Sequence, residues 1–102
     1  MQLYKKKKVE IIVEAVLQQQ ILKMIEDEGA KGYTVIPEAF GKGHRGVRGE
    51  AHVSNVFKNI LIIVIADERT AMRIIENAQP LLKNYAGIVY VSEVSVVRDE
   101  HF

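Results

Sequence analysis

Asn59-Ile60-Leu61-Ile62-Ile63-Val64-Ile65-Ala66-Asp67-Glu68-Arg69-Thr70-Ala71-Met72-Arg73-Ile74-Ile75 is the stretch that decides the fold of this chain. Asn59 to Ala66 is apolar on both faces that a period-two strand presents. At Asp67 the period changes. Aspartate is a good N-cap, and the apolar positions after it (Ala71, Ile74, Ile75 and Ala78) fall on one helical stripe. Pro80 kinks or ends that helix, and Ala86 to Val97 reads as a final strand before the polar tail Arg98 to Phe102.

The same strand-to-helix pattern occurs earlier in the chain. Val9, Ile11 and Val13 alternate with Glu10, Ile12 and Glu14, which predicts a strand with one buried face. From Val16 to Glu28 the period becomes helical, with Leu17, Ile21, Met24 and Ile25 on one stripe and Gly29 as the stop. A further extended run covers Gly32 to Phe40, where Pro37 marks an edge strand or the end of its pairing. The order is strand, helix, strand, loop, strand, helix, strand. Two βαβ units with right-handed crossovers give an α+β, ferredoxin-like βαββαβ fold, an antiparallel sheet with both helices on one face.

Composition narrows the class. The 102 residues suit one domain, 1–102, and 48% hydrophobic with 26% charged residues is ordinary globular usage. No run reaches the roughly 18 apolar residues of a membrane span. Glu10 and Glu14 interrupt the apolar stretch behind the lysines of Met1 to Lys8, so a signal peptide is not expected. The absence of cysteine excludes disulfides and thiolate chemistry and fits a cytoplasmic location. A net charge of +1 argues against a general nucleic-acid binder.

Assembly is also suggested. If both helices cover one face, then either Leu61, Ile63 and Ile65 or Ile60, Ile62 and Val64 would lie in water in a monomer. Burying each such side chain is worth about 1.5–3 kcal/mol, which favours a covered second face. Its cover is either another subunit or the long loop.

That loop runs from Gly41 to about Val56, where the hydrophobic pattern disappears. Gly41-Lys42-Gly43-His44-Arg45-Gly46 satisfies G-x-G-x-x-G, but it follows the second strand and opens no helix, so it fails as a dinucleotide fingerprint. Its chemistry still suits an anion: glycines let backbone N–H groups approach, and Lys42, Arg45 and Arg48 bring charge. A solvated hairpin with incidental charges is the other reading. His44, His52 and His101 lack metal-ligand spacing and read as surface residues. Tyr33, Tyr85 and Tyr90 read as sheet or interface residues, and Asp67 with Glu68 as a helix start.

Three segments in order, Gly29-Ala30-Lys31-Gly32-Tyr33-Thr34-Val35, Gly41-Lys42-Gly43-His44-Arg45 and Asn84-Tyr85-Ala86-Gly87-Ile88-Val89-Tyr90-Val91, resemble the PII signalling superfamily. The nearest similarity is to its bicarbonate-associated branch, the SbtB-type and carboxysome-associated PII proteins. The resemblance spans essentially the whole chain. It implies a homotrimer with adenine-nucleotide sites in the clefts between subunits. Thr34 and the base of the long T-loop would contact nucleotide, with Gly41, Lys42, Gly43 and Arg45 at the phosphates. The backbone of Gly87, Ile88 and Val89 would meet adenine and ribose, Ile12 and Val64 would lie against the base, and Arg98 would reach a neighbouring subunit's phosphates. Bicarbonate is implied as a second ligand near the loop. A membrane bicarbonate transporter or a carboxysome component is implied as partner.

The sequence departs from standard PII proteins in two ways. Tyr85-Ala86-Gly87 is too short for their triphosphate-gripping turn, which points to AMP, ADP or cyclic AMP (cAMP) ahead of ATP with 2-oxoglutarate. Gly41 to Val56 holds no tyrosine for uridylylation. Redox control through the cysteine-bearing C-terminal extension of many SbtB-type proteins is not expected, because the sequence has no cysteine. Other classes fit less well. Asn59 to Ala66 has no aromatic residue to stack RNA bases, and a metal chaperone would need a Cys-x-x-Cys pair. An acylphosphatase-like enzyme would carry an anion loop where Glu14-Ala15-Val16 stands, so no enzymatic activity is expected. A CutA-type trimeric metal-tolerance protein is the structural alternative.

Overall fold

The computed structural model describes residues 1–43, 46–48 and 58–102 of the chain. Strand β1 (Tyr4–Glu14) passes through a 3-10 turn (Ala15–Leu17) into helix α1 (Gln18–Asp27). Strand β2 (Thr34–Ala39) and two short strands, β3 (Gly41–Gly43) and β4 (Gly46–Arg48), come next. Then β5 (Asn59–Ala66) leads to helix α2 (Glu68–Ala78), a 3-10 segment (Gln79–Lys83) and β6 (Gly87–Val96). The main sheet has the order β2-β5-β1-β6 with every neighbouring pair antiparallel. Each helix therefore joins two strands that have a third between them, and the fold is the expected ferredoxin-like βαββαβ.

Register explains the core. Val9, Ile11 and Val13 stand opposite Val64, Ile62 and Ile60, all on the helix-covered face and all buried. Leu17, Ile21 and Ile25 from the first helical segment and Ala71, Ile74 and Ala78 from α2 close over them. Met24 and Ile75 lie at the margin of this core, partly buried. Two helix boundaries follow the expected local chemistry. Gly29 takes a φ of +99° directly after α1, a left-handed geometry that glycine adopts cheaply. Asp67 caps α2 by accepting the Thr70 backbone N–H at 2.9 Å.

Three details differ from the sequence-based expectation, and a fourth agrees with both readings offered for one residue. First, β1 starts at Tyr4 rather than Val9, so the lysine run is strand. Nearby acids make this possible: Lys7 lies 3.8 Å from Glu93 on β6 and 3.9 Å from Glu68 at the start of α2, and Lys8 lies 3.3 Å from Glu10 on its own strand. Second, α1 begins at Gln18, because Ala15–Leu17 winds as a tighter 3-10 turn that leaves Val16 exposed. Third, the start of the loop is not structureless. Gly41, Lys42 and Gly43 pair with Arg48, Val47 and Gly46, so the glycines of the G-x-G-x-x-G stretch sit in a two-stranded ladder. The segment shows no apolar alternation, so periodicity misses this ribbon. Fourth, Pro37 fits both of its readings. β2 is an edge strand, and its pairing with β5 slips between Ile36 and Ala39, where Glu38 takes a φ of 61°.

The second sheet face is not covered by helices and carries an apolar band. Ile36, Leu61, Ile12 and Ile88 form a row across all four strands, each opposite the next. The next row toward the start of β2 holds Thr34, Ile63, Glu10 and Tyr90.

Candidate functional site

The expected ligand residues divide between the two ends of this sheet. At one end β1 finishes at Glu14, β2 at Ala39, and β5 and β6 begin at Asn59 and Gly87. Gly41 follows immediately in β3, so the glycine-basic segment is rooted here. The backbone of Gly41, Lys42 and Gly43 is part of that ladder. Arg45, like His44 and residues 49–57, lies outside the described residues. Ile12 and Ile88 face each other near this end on the uncovered face, with Ile88 exposed. Val89 packs its side chain toward the core, which leaves its backbone for any ligand.

Gly87 has a packing reason of its own. A Cβ there would come within 2.8 Å of both the Ile12 carbonyl oxygen and Val13 Cγ1, and 3.0 Å from Leu82 Cδ2. β6 can approach β1 this closely only without a side chain.

Arg98 belongs to the opposite end, and Thr34 stands one row beyond Ile36, level with Ile63, Glu10 and Tyr90. Thr34 opens β2, and Arg98 follows the end of β6. Within one protomer, Thr34 on the β2 edge is separated from Gly87–Val89 on the β6 edge by β5 and β1. At about 4.8 Å per strand the two edges are roughly 14 Å apart. Val64 is the one expected contact whose position contradicts its role. It pairs with Val9, is wholly enclosed on the helix side and has no surface to offer a base. Strand alternation puts Ile12 and Val64 on opposite faces, and Leu61 is the actual cross-strand neighbour of Ile12.

Two cavities mark the two ends. The one at the loop root, about 260 Å³, is lined by Glu38, Ala39, Phe40, Lys58 and Asn59. Lys58 Nζ stands 3.3 Å from the Glu38 carboxylate, and the Ala15 N–H donates to the Lys58 carbonyl oxygen at 2.6 Å. Asn59 is buried, yet among the described residues neither Nδ2 nor Oδ1 has a partner. Leaving a buried amide unpaired costs about 1–3 kcal/mol, and such a group calls for a ligand or neighbour. The other cavity, about 150 Å³, is lined by Gly32, Tyr33, Thr34, Ile63, Ile65, His101 and Phe102. Sequence reasoning named Thr34 but missed Asn59, Lys58 and the final residues. Asn59 did leave a signal, as the one polar residue in an otherwise apolar strand.

A family model, nitrogen regulatory protein P-II, matches residues 6–101. The chain belongs to the P-II family. A PII-like protein from Thiomonas intermedia, CPII, solved bound to ADP, AMP and bicarbonate, is 31% identical. It superimposes with a TM-score of 0.86 over 95% of this chain and 92% of its own. A PII-like signalling protein from Thermus thermophilus is 37% identical with a TM-score of 0.84, covering 100% of this chain and 99% of the other. The B. subtilis GlnK–ATP complex shares the fold at 19% identity and a TM-score of 0.63, over 88% and 82% of the two chains. P-II membership sets aside the CutA-type alternative. Among the described residues no helix is long and apolar enough to cross a membrane.

Proposed function

We propose that this protein is a cytoplasmic PII-like signal transducer of the bicarbonate-associated branch, acting by ligand binding and not by catalysis. It forms a homotrimer, holds ADP, AMP or cAMP, with ATP a weaker ligand, between subunits, and signals through the loop to a bicarbonate transporter or carboxysome component. The observation that carries this reading is the similarity, along nearly the whole chain, to CPII bound to ADP, AMP and bicarbonate.

The division of the candidate residues supports the assembly. One protomer offers a first half-site of Gly41, Lys42, Gly43, Arg45, Ile12 and Gly87–Val89 at the loop root and a second of Thr34, on the opposite edge strand, and Arg98, beyond the end of β6. Within one chain the full width of the sheet lies between Thr34 and Gly87–Val89. A closed ring of head-to-tail copies brings one protomer's first half-site against its neighbour's second. The same contact would cover the apolar row of Ile36, Leu61, Ile12 and Ile88.

Bicarbonate has a chemical match at the loop root. It carries one hydroxyl donor and several acceptor oxygens; the Lys58 ammonium lines the cavity, and the enclosed Asn59 amide behind it would add a donor and an acceptor once the loop root opens. A bound bicarbonate would compete with Glu38 for Lys58 and so change how the loop leaves the sheet, an order–disorder device in which the ligand's preference for one state is the only energy available.

Calorimetric titration with AMP, ADP, ATP and cAMP, with and without bicarbonate, tests this. Binding in the micromolar to millimolar range is expected, about tenfold or more weaker for the double variant Lys42→Ala/Arg45→Ala. Asn59→Leu should fold and bind nucleotide while losing the response to bicarbonate. Absence of heat with every nucleotide ends the reading.

A further inference from the structure

The apolar band of the uncovered face carries one charge. Of the row Ile36, Leu61, Ile12 and Ile88 and the next row Thr34, Ile63, Glu10 and Tyr90, only Glu10 is ionisable as an acid or base near neutral pH. One row further along β1, on the same face, stands Lys8, level with Ile65 and Ser92. Lys8 Nζ lies 3.3 Å from Glu10 Oε1. The Glu10 side chain is only 15% exposed in a single protomer, with Ile63 opposite it on one side and Tyr90 on the other.

This pair does little for the protomer itself. Both residues belong to β1, two positions apart, so their contact ties no element to another. A partly solvated ion pair of that kind contributes little to stability. Covering the face changes its surroundings. The contact that would bury Leu61 and Ile88 also closes over Glu10, which sits in the adjoining row. A carboxylate taken out of water there must keep its ammonium and find polar groups across the contact. A neighbour that presented only apolar side chains, or that slid by one row, would leave both charges facing groups unable to bind them. A lone polar position in a coiled-coil seam selects register and partner in the same way, at a cost in stability.

We propose that Lys8 and Glu10 are the partner-selecting residues of the subunit contact. The Lys8 ammonium of one copy meets the Glu10 carboxylate of the next, so that a second copy of this chain completes the ring and a face without the matching pair is rejected. The proposal rests on the homotrimer reading above and adds to it the residues that choose the neighbour.

Exchanging the two charges tests it. Lys8→Glu/Glu10→Lys keeps an ion pair within β1, and a ring built only of this variant again sets cation against acid. A mixed ring sets ammonium against ammonium and carboxylate against carboxylate. Wild type and the exchanged variant, one of them carrying a mass tag, are unfolded together, refolded and counted by native mass spectrometry, with two differently tagged wild types as reference. The two wild types should mix at random. Wild type and variant should each form their own trimers, with mixed trimers at least about tenfold below random mixing. Random mixing of these two overturns the proposal and leaves the homotrimer standing. If the exchanged variant does not assemble even alone, Lys8→Met/Glu10→Gln mixed with wild type decides: depleted mixed trimers support the pair, and random mixing overturns it. A wild type that is monomeric by sedimentation overturns the homotrimer reading and the pair's role together.

Discussion

A methyl group at Gly87 would press on the Ile12 carbonyl, Val13 and Leu82 at once, and two of those contacts are 2.8 Å. The backbone cannot retreat from its own sheet partner without losing the Val13–Gly87 pairing. Gly87→Ala should therefore lower stability by about 1–3 kcal/mol in a urea titration without nucleotide. An unchanged midpoint would mean that β6 does not approach β1 as described. Asn59 shows the opposite logic. It is well enclosed but chemically incomplete, which is why it belongs with the ligand and not with the core.

Among the elements, α2 shows best how local chemistry sets a boundary. The Asp67 carboxylate accepts the Thr70 N–H, and this bond foremost holds its pKa below the ordinary 3.8, with Lys6 and Arg69 adding to the effect and burial opposing it. A folded-state pKa below the unfolded one contributes stability above the unfolded value and loses it as pH falls through the folded value. Asp67→Ala should cost about 1 kcal/mol at neutral pH, and the gap to wild type should narrow below about pH 4. Urea midpoints at pH 7 and pH 3 check this, and an equal gap at both would exclude a charged cap. The same helix is joined to the end of α1 by Glu28, which accepts from Arg73 Nε at 2.8 Å and Asn77 Nδ2 at 2.9 Å. That joint fixes both helices over one face and so leaves the other for assembly.

On the scale of the whole molecule, the uncovered face separates a lone domain from a ring. Leu61 is only partly buried in the protomer, so a charge there is tolerable to the fold but not to a face packed on another copy. Leu61→Glu should give folded monomers by sedimentation equilibrium and abolish nucleotide binding, because neither half-site is complete alone. A variant that stays trimeric would place the contact elsewhere.

Most of the fold was legible in the sequence. The strand periods, the Asp67 cap, the Gly29 stop and the core stripes are local signals, each carried by residues a few positions apart, and they determined element order and the buried faces of β1 and both helices without any coordinates, while leaving open which face of Asn59–Ala66 the helices cover. The motif set around Gly32–Thr34, Gly41–Gly43 and Gly87 likewise pointed to the P-II family, to which the chain belongs. Tertiary structure alone decided what depends on register and on distant neighbours. It turned a lysine run into strand by facing it with acids, set Val64 behind the sheet from Ile12, and split the candidate site between two ends. It also folded residues 97–102 back over the sheet. Each is a long-range pairing, and no period or spacing along the chain encodes which strand will lie beside which.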